Sequence, residues 1–286
     1  MIVFVNGKYL NDNEANINVN DRGYLLADGV YEGFRVYNGK IFKFQEHKQR
    51  FQRSLNELKI QYTLKDELET IFENLFEKNS YKNSDELFYY IQITRGVALR
   101  DHAFPKEKTK VGIYAFVAKK PLNEKAYNEG LKVCTTPDNR WARCDIKCIS
   151  LTANCLAKQN ALDNGFDDAL FVHDGVITEA TASNVFFVKD NTIYTHGATN
   201  RILSGITRNF VIDLCNENGF KLSEFPLTVD KLKTVDEAFL TGTTLEVTPI
   251  VKINNISINE QKVGETTKKL QKLFKEYLQN NFYKKS

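Results

Sequence analysis

One lysine of this chain stands among residues that suit amine chemistry. Lys147 closes the segment Arg143-Cys144-Asp145-Ile146-Lys147, which brings a cation, a thiol and an apolar side chain close to it in sequence. A lysine amine attacks a carbonyl carbon only when it is unprotonated, and desolvation or neighbouring cations lower its pKa towards that form. The segment indicates a lysine that can form a Schiff base, although a lysine considered alone is more often a solvated surface residue.

A carboxylate opens the second segment of interest, Thr178-Glu179-Ala180-Thr181-Ala182-Ser183-Asn184. A carboxylate that holds a protonated pyridine nitrogen makes the ring of pyridoxal phosphate an electron sink. Glu179 suits that role, although a glutamate that merely follows a hairpin would look the same in sequence. Lys147 and Glu179 together predict a pyridoxal phosphate site if the chain also offers a cradle for the phosphate group.

Two turns could supply backbone N–H groups to a phosphate, as the N-terminus of a helix does. Leu203-Ser204-Gly205-Ile206-Thr207 leads into an apolar helix, and its glycine permits close approach of a ligand to the backbone. Thr241-Gly242-Thr243-Thr244 follows an apolar strand in the same half of the chain. A helix capped by Ser204 would explain the first turn alone, but two such turns favour a phosphate site. Neither matches a Walker loop or a dinucleotide fingerprint.

Three further cations are candidates for binding anions. Arg50, on a predicted helix that begins near His47, could add a fixed positive charge to the phosphate site. Arg100 and His102 lie in a loop-like segment, residues 95–105, that follows a strand and contains glycine and proline. In an extended loop these two side chains share one side, where they could clamp a carboxylate. A charged loop tip without a ligand is the alternative.

The composition is that of a globular protein with enough length for a sizeable core: 286 residues, 42% hydrophobic and 26% charged. The net charge is +3 and lysines alternate with acidic residues, so we expect no nucleic-acid partner. No apolar run is long enough to span a bilayer and no signal peptide opens the chain, which predicts a soluble cytoplasmic protein without a membrane partner. An odd number of cysteines argues against a disulfide framework, and neither they nor the histidines are spaced as zinc ligands (Cys134, Cys144, Cys148, Cys155, Cys215; His47, His102, His173, His196).

The pattern of elements indicates an α+β or mixed α/β fold, because strands and helices alternate without a strict βαβ repeat. The first part predicts hairpins at residues 2–8 and 36–42, each with an Asn-Gly turn, a helix over 46–58, and strands over 87–94 and 111–118. Thr63-x-x-Asp66 resembles a capping box before a second helix.

A polar, proline-containing segment, residues 119–125, is the predicted linker between a domain over 1–118 and a domain over 126–286. The second part predicts strands at 130–135, 168–173, 184–189 and 192–195, and helices near 151–164, 205–217 and 265–280. The basic pair Lys284-Lys285 is expected to be solvated.

Several of these segments are similar to strings of the class IV aminotransferases, the fold-type IV pyridoxal phosphate enzymes, and most closely to the D-amino acid transaminases among them. The similarity covers nearly the whole chain, from Asn20-Asp21-Arg22-Gly23-Tyr24 to Val263-Gly264-Glu265. It implies a small N-terminal α/β domain and a larger C-terminal pseudo-barrel domain that binds the cofactor. Besides the Lys147 and Glu179 segments, the strings that carry it are Asp28-Gly29-Val30-Tyr31-Glu32, Ser183-Asn184-Val185-Phe186 and Glu246-Val247-Thr248-Pro249.

The resemblance also implies a role for each matching position. Lys147 would be the Schiff-base lysine and the proton carrier, and Glu179 would pair with the pyridine nitrogen. The substrate α-carboxylate would be bound by Tyr31, Arg100 and His102, of which the last two reach the site from the neighbouring subunit, so that a homodimer is implied. The phosphate would be held by Arg50, the amides of Ile206 and Thr207, and the turn Thr243-Thr244.

The resemblance implies transfer of an amino group between D-amino acids and 2-oxo acids, with D-alanine and 2-oxoglutarate giving pyruvate and D-glutamate. One string departs from the D-specific pattern: Glu32-Gly33-Phe34-Arg35 is similar to the Glu-Gly-x-Arg string of the branched-chain L-amino acid aminotransferases, and Gly33 would leave more room beside the cofactor. That enzyme is therefore one alternative. The others are an aminodeoxychorismate lyase of the same fold, a Schiff-base aldolase without cofactor, and a non-catalytic binding protein.

Overall fold

The computed structural model describes residues 1–284, which form two compact units of mixed helix and strand. Unit 1 comprises residues 1–121 and 146–150, and unit 2 comprises residues 122–145 and the described chain from 151 onwards. The mixed α/β fold class predicted from the sequence is confirmed. The chain leaves unit 1 inside the segment 119–125, while the domain limits given above stay a prediction. Lys285, half of the basic pair expected to be solvated, lies outside the described residues.

Unit 1 contains six strands, three α-helices and a short 3-10 turn at Asp12–Glu14. The strands are fully antiparallel, in the order β2-β1-β6-β5-β3-β4, once their bounds are set as follows: β1 (Ile2–Val5), β2 (Lys8–Asn11), α1 (Arg22–Leu26), β3 (Gly29–Tyr37), β4 (Lys40–Ile41), α2 (Phe44–Glu57), α3 (Glu67–Lys78), β5 (Leu87–Thr94) and β6 (Gly112–Lys119).

The core of unit 1 forms where one face of this sheet meets α2 and α3. Alternate residues of β5 are fully buried, as expected for a strand with one face on the core: Leu87, Tyr89, Ile91 and Ile93. The helices contribute the apolar positions that recur at helical spacing in the sequence: Phe51 and Leu55 on α2, and Leu68, Ile71, Phe72 and Leu75 on α3. The segment 146–150 joins the same core through Ile146 and Cys148.

Both predicted Asn-Gly hairpins are present. Asn6 and Gly7 have φ of 50° and 93°, and Asn38 and Gly39 have φ of 47° and 72°, the left-handed values that two-residue hairpin turns require. The capping box predicted at Thr63-x-x-Asp66 was wrong: Asp66 is the N-cap of α3, but its side chain makes no capping hydrogen bond. The side chain of Glu67 instead accepts from the amide of Lys65 and from the Tyr62 hydroxyl, over 3.0 Å in each case.

Unit 2 is built on a nine-stranded mixed sheet that curls into a half-barrel. Its elements are α4 (Glu124–Glu129), β7 (Leu131–Pro137), α5 (Thr152–Asp163), β8 (Asp168–His173), β9 (Val176–Ala180), β10 (Asn184–Lys189), β11 (Thr192–Thr195), α6 (Ile206–Glu217), β12 (Lys221–Ser223), β13 (Glu237–Gly242), β14 (Glu246–Ile253), β15 (Ile256–Ser257) and α7 (Glu265–Leu278), with 3-10 turns at Val229–Thr234 and Asn259–Gln261 and a π turn at Gln279–Tyr283.

The strand order in this sheet is β12-β11-β10-β13-β14-β7-β8-β9, with β15 added to β14. The pairs β11–β12, β14–β7 and β7–β8 are parallel and the rest antiparallel. Central strands such as β10 are buried on both faces, which explains the continuous apolar run Val185-Phe186-Phe187-Val188. The order places β10 directly beside β13, so the turns that end or precede these strands lie side by side.

Candidate active site

Lys147 and Tyr31 lie together in unit 1. The segment 146–150 runs along β3, with Val30 bridged to Cys148 and the Tyr31 amide donating to the Lys147 carbonyl over 3.0 Å. The Lys147 amide donates to the Ser54 hydroxyl of α2 over 3.2 Å. The Lys147 Nζ atom is 4.2 Å from the centroid of the Tyr31 ring, within reach of a cation–π interaction. Two residues predicted for one site from separate parts of the sequence are therefore neighbours.

The Tyr31 ring has a second aromatic neighbour that fixes its plane. Tyr31 and Tyr90 stack across β3 and β5 with ring centroids 5.6 Å apart and an interplanar angle of 29°. Tyr90 in turn hydrogen-bonds Gln92 through its hydroxyl, over 2.9 Å. Tyr31 is half-buried, so its ring is held on one side while its side chain stays accessible.

Next to Tyr31 on β3, a buried carboxylate holds Arg50. Glu32 is fully buried and accepts from Arg50 Nε over 2.7 Å and Nη2 over 2.9 Å, and its Oε2 is 2.8 Å from His47 Nδ1. Burial alone would raise the pKa of Glu32, but the charges and hydrogen bonds of Arg50 and His47 outweigh it and hold that pKa well below its usual range. Burial lowers the pKa of His47. The predicted role of Arg50 at a phosphate stays a prediction, and its guanidinium is oriented by Glu32.

Glu32 and His47 were missed as functional candidates, although the sequence does contain a signal for the first. Strand β3 has the buried alternate register Val30, Glu32, Phe34 and Val36, so a carboxylate stands where only apolar residues are expected. A buried carboxylate needs a paired charge. A charged residue inside an apolar register therefore predicts a buried ion pair, and Arg50 is that partner.

In unit 2, Glu179 lies at the end of β9 and is buried, with every described donor around it aimed at its carboxylate. Arg140 Nη1 donates to Oε1 over 2.5 Å, Asn184 Nδ2 donates to Oε2 over 3.0 Å, and the Leu203 amide donates to the same carboxylate at 3.1 and 3.2 Å. Burial raises the pKa of Glu179 to about 7, against the opposing effect of the Arg140 charge and of these hydrogen bonds. The carboxylate is fixed in place and poised near neutrality.

Arg140 is the second residue that sequence reasoning missed. It bonds Asp138 in bidentate fashion over 2.9 and 2.8 Å, and its guanidinium lies 4.2 Å from the centroid of the Phe171 ring. Asp138 also accepts from the Thr178 hydroxyl over 3.2 Å. Arg140 thus carries one charge between two carboxylates, and Asp138 orients it. The Asp-x-Arg spacing just beyond β7 is too common in loops to have indicated this.

The first predicted phosphate turn forms the N-terminus of α6. Ile206 and Thr207 are buried in the first helical turn, where backbone N–H groups have no intrahelical acceptor. The explanation by a serine cap was wrong, because the N-cap is Gly205 and no side chain caps the helix. A Cβ on Gly205 would lie 2.1 Å from Asn184 Oδ1, so only glycine fits there. Asn184 Nδ2 also donates to the Leu203 carbonyl over 2.9 Å, which ties this turn to Glu179.

The second predicted phosphate turn, Thr243-Thr244, connects β13 to β14 beside the same group of residues. Asn184 pairs with Thr241 across β10 and β13, and a Cβ on Gly242 would lie 3.3 Å from Ser183 Cβ. The hydroxyls of Ser183 and Thr241 are buried and have no hydrogen-bond partner among residues 1–284. Buried hydroxyls are normally paired. Their orphan state beside two glycine-bearing turns fits a bound group rich in acceptor oxygens, such as a phosphate.

Arg100 and His102 lie in the predicted loop of unit 1, between β5 and β6. Both side chains are exposed, and neither makes a hydrogen bond or ion pair within residues 1–284. Their predicted role in binding a carboxylate stays a prediction. The backbone on either side of His102, in contrast, is held by a buried side chain of the same unit.

The structure corrects the interpretation of Gly33. A Cβ at this position would lie 2.6 Å from Cζ of the Phe88 ring, so the missing side chain makes room for a neighbouring aromatic ring of the same sheet. Arg35, the other residue of the Glu-Gly-x-Arg string, is buried and binds Glu86 and the Lys120 carbonyl. Both residues serve the packing of unit 1.

Residues 1–284 contain no group of histidine, cysteine and acidic side chains arranged to hold a metal ion. Within the same residues, no helix is both long and apolar enough to cross a membrane. All five cysteines are unpaired.

Comparison with known proteins decides the family. The model of amino-transferase class IV matches residues 29–253 of this chain. The chain belongs to the class IV aminotransferases. It is 39% identical to the D-alanine aminotransferase of Staphylococcus haemolyticus over 97% of this chain and 98% of that protein. It is also 39% identical to the D-alanine aminotransferase of Bacillus licheniformis, over 95% of each chain.

Solved structures agree on the fold. A branched-chain amino acid aminotransferase from the source abbreviated T.th., complexed with N-(5'-phosphopyridoxyl)-L-glutamate, superposes with a TM-score of 0.86 at 26% identity, over 98% of this chain and 94% of that one. Class IV aminotransferases use pyridoxal phosphate, as predicted from the sequence. The buried carboxylate, the first turn of α6 and the orphan hydroxyls of unit 2 fit that group, and so does the amine beside Tyr31 in unit 1.

Proposed function

We propose that this aminotransferase transfers amino groups between D-amino acids and 2-oxo acids, with D-alanine and 2-oxoglutarate giving pyruvate and D-glutamate. The observation that carries the proposal is the position of Tyr31 against the amine of Lys147, 4.2 Å from Nζ to ring centroid. It brings a predicted carboxylate-binding residue to the predicted reactive amine. Full-length similarity to two D-alanine aminotransferases supports the same substrate class.

Each residue then has a defined task. Bound pyridoxal phosphate supplies an aldehyde that condenses with amines and a ring that accepts electrons. Lys147 holds the cofactor through Nζ, and as a free amine the same atom removes and returns the substrate Cα proton. Glu179 holds a proton on the ring nitrogen, a task that suits a carboxylate fixed by Arg140 and Asn184. The amides of Ile206 and Thr207, the Thr243-Thr244 turn and Arg50 bind the phosphate.

Stereochemical choice follows from where the substrate carboxylate is bound. Arg100 offers a planar fork that matches a carboxylate and His102 a second donor, and both side chains are exposed and unpaired among residues 1–284. A carboxylate held by these residues and Tyr31 leaves one face of Cα to the Lys147 amine. We therefore assign the selection of D-amino acids to the loop and the chemistry to Lys147.

The proposal includes a homodimer in which each subunit lends this loop to its partner. Large apolar side chains are exposed on two neighbouring segments of unit 1, which are joined by the Asp21–Val97 bridge and by the Ala98 amide donating to the Asn20 carbonyl. Apolar surface of this kind marks association. The exposed side chains are Ile17, Val19, Tyr24, Val97 and Leu99, the last of them 88% exposed. We expect a dimer by light scattering, and Leu99→Asp to weaken it.

A branched-chain L-amino acid aminotransferase is the second candidate, because solved structures of that class share the fold. The string that favoured it, Glu32-Gly33-Phe34-Arg35, is accounted for by contacts inside unit 1: Gly33 accommodates Phe88, and Arg35 binds Glu86 and the Lys120 carbonyl. An aminodeoxychorismate lyase of the same fold is the third. It would release pyruvate without any 2-oxo acid acceptor. The proposal also includes a cytoplasmic location, which five unpaired thiols suit.

The test is a spectroscopic titration of the purified protein, first with D-alanine and then with L-leucine, followed by addition of 2-oxoglutarate. We expect the absorbance of the bound cofactor to change with D-alanine and to recover on addition of the acceptor. Arg100→Gln should raise KM for D-alanine, whereas Lys106→Gln, a change of an exposed cation on the same loop, should not. Conversion of L-leucine without conversion of D-alanine would overturn the proposal, and pyruvate release without an acceptor would favour the lyase.

A further inference from the structure

The loop that carries Arg100 and His102 leaves the sheet through a pinched base. Gly96 has φ of +96°, and a Cβ on it would lie 2.0 Å from the Lys110 carbonyl oxygen. Only glycine permits this approach of the two backbone strands. The Thr109 hydroxyl also donates to the Arg95 carbonyl, over 2.5 Å. Residues 97–108 therefore leave and re-enter unit 1 at one fixed point.

One buried arginine binds the middle of the loop. Arg22, the first residue of α1, is 2% exposed, and its Nη1 donates to the Asp101 carbonyl over 2.6 Å and to the Ala103 carbonyl over 3.2 Å. These two carbonyls belong to the residues on either side of His102. The Arg22 amide also donates to the Gly96 carbonyl over 2.9 Å. The backbone around His102 is thus held from inside the unit, while the His102 side chain itself is exposed.

A second buried arginine holds the end of the loop, and one carboxylate orients both. Asp28 accepts from Arg22 Nε over 2.8 Å and from Arg95 Nε and Nη2 over 2.7 and 3.0 Å. The Arg95 guanidinium lies 3.7 Å from the centroid of the Phe104 ring. Arg95 also donates to the carbonyls of Leu58 and Lys59, over 2.6 and 2.9 Å. We call Arg22, Asp28 and Arg95 the loop anchor.

This arrangement holds a net positive charge inside the unit, since one carboxylate faces two guanidinium groups. Burying charge is costly unless every donor is paired. The carbonyls of the loop provide part of that pairing, so a displaced loop would leave Arg22 donors unsatisfied. The planar fork of arginine reaches Asp28 and the loop in fixed directions at the same time, which the single ammonium of lysine does not.

We propose that the loop anchor, and Arg22 in particular, positions Arg100 and His102 for the substrate carboxylate and so determines substrate specificity without touching the substrate. The inference rests on the proposed function for its effect on catalysis. The anchoring itself is independent of that function. Arg22 is a positioning residue, because it acts on the carboxylate only through the backbone on either side of His102.

The kinetic test uses Arg22→Lys, with Arg35→Lys as the matched control. Arg35 is also a buried arginine of unit 1 that binds a carboxylate and a backbone carbonyl, but these partners, Glu86 and Lys120, lie outside the loop. We expect Arg22→Lys to raise KM for D-alanine by about tenfold or more, the scale of losing one well-placed charged contact, with kcat within about twofold. Arg35→Lys should leave KM unchanged even if it lowers Tm by the same amount.

Two further measurements separate positioning from stability. In a His102→Ala background, Arg22→Lys should add little to KM, because both changes act on the same contact. Hydrogen exchange of residues 97–108 should become faster in Arg22→Lys and stay unchanged in Arg35→Lys. Additive effects on KM, or loop exchange that does not respond to Arg22→Lys, would overturn the proposal.

Phe104→Ala provides the test if Arg22→Lys does not fold, because Phe104 is 52% exposed and its removal leaves the core intact. Loss of the stacking on Arg95 should likewise speed loop exchange and raise KM, and no change in either would count against the anchor. If the unaltered protein does not convert D-amino acids, the proposed function fails. The exchange experiment then still decides whether the anchor holds the loop.

Discussion

The amine nitrogen of Lys147 lies 4.2 Å from the centre of the Tyr31 ring, and the Tyr31 amide donates to the Lys147 carbonyl over 3.0 Å. The two residues are thus joined through both main chain and side chain. The main-chain hydrogen bond, together with the bridge from Val30 to Cys148, does not depend on the lysine side chain. Chemistry and architecture at Lys147 can therefore be separated by substitution.

Lys147→Ala should abolish transamination while the protein keeps its fold, because the change removes the amine and leaves the backbone hydrogen bonds to Tyr31 and Ser54. Activity, the visible absorbance of bound cofactor and the thermal midpoint measure the three aspects. Lys125→Ala, a change of an exposed lysine in α4, is the control and should behave as the unaltered protein. Retained turnover in Lys147→Ala would show that another lysine carries the reaction.

Glu179 predicts a specific dependence of stability on pH in the cofactor-free protein. Burial raises the pKa of its carboxyl from an ordinary 4.5 to about 7. The folded state therefore binds the proton more tightly than the unfolded state, so this stabilisation is fully present below pH 4.5 and is lost as pH rises through 7. At about 1.4 kcal/mol for each pKa unit, the loss is of order 3 kcal/mol.

Denaturant unfolding of the cofactor-free protein and of Glu179→Gln at pH 4, 6 and 8 measures this loss. The free energy of unfolding should shift in favour of the glutamine variant as pH rises. Glu217→Gln, a change of an exposed glutamate in α6, should show no such trend. Arg140→Gln removes the charge that opposes the pKa rise, so the loss should move to higher pH. A constant difference between the unaltered protein and Glu179→Gln at all three pH values would contradict the assigned pKa.

Local patterns in the sequence predicted most of the fold and the reactive residues, because those depend on neighbours along the chain. Asn-Gly turns and alternating apolar residues determine hairpins and strands wherever they occur, as at Asn38-Gly39 and Leu87 to Ile93. The buried partners were not predicted. Arg140 finds Glu179, and Arg22 finds the carbonyls on either side of His102, only once the chain has folded. Such contacts join residues far apart in sequence, and nothing in their local composition marks them.

The interpretation of Gly33 failed for a related reason. A missing side chain indicates that space is needed, but it does not say for which neighbour. In the sequence the cofactor was the obvious candidate, whereas in the folded sheet the Phe88 ring occupies the space. Gly205 is the opposite case: its expected closeness to a ligand is joined by a protein contact, with Asn184 Oδ1, that demands glycine independently.

Gly205→Ala should weaken cofactor binding, because its Cβ would lie 2.1 Å from Asn184 Oδ1 and would displace a side chain that also binds Glu179 and Leu203. One substitution would then disturb both the carboxylate and the first turn of α6. Titration of the cofactor-free protein with pyridoxal phosphate should give a Kd raised by about tenfold or more, equivalent to one or two lost hydrogen bonds. Asp213→Ala, on the exposed side of α6, should bind the cofactor normally. Unchanged affinity in Gly205→Ala would place the cofactor away from this turn.

Gly33→Val tests whether this glycine serves the sheet or the cofactor. Its Cβ would meet the Phe88 ring at 2.6 Å, and overpacking of this kind costs about 1–3 kcal/mol of stability. Urea denaturation should show that loss, and the cofactor Kd should stay unchanged. In a Phe88→Ala background the cost of Gly33→Val should fall, because the clashing ring is gone, so the two changes should be strongly non-additive. Phe88→Ala alone is the required reference. A Gly33→Val variant of full stability with weakened cofactor binding would restore the view that Gly33 opens space for the cofactor.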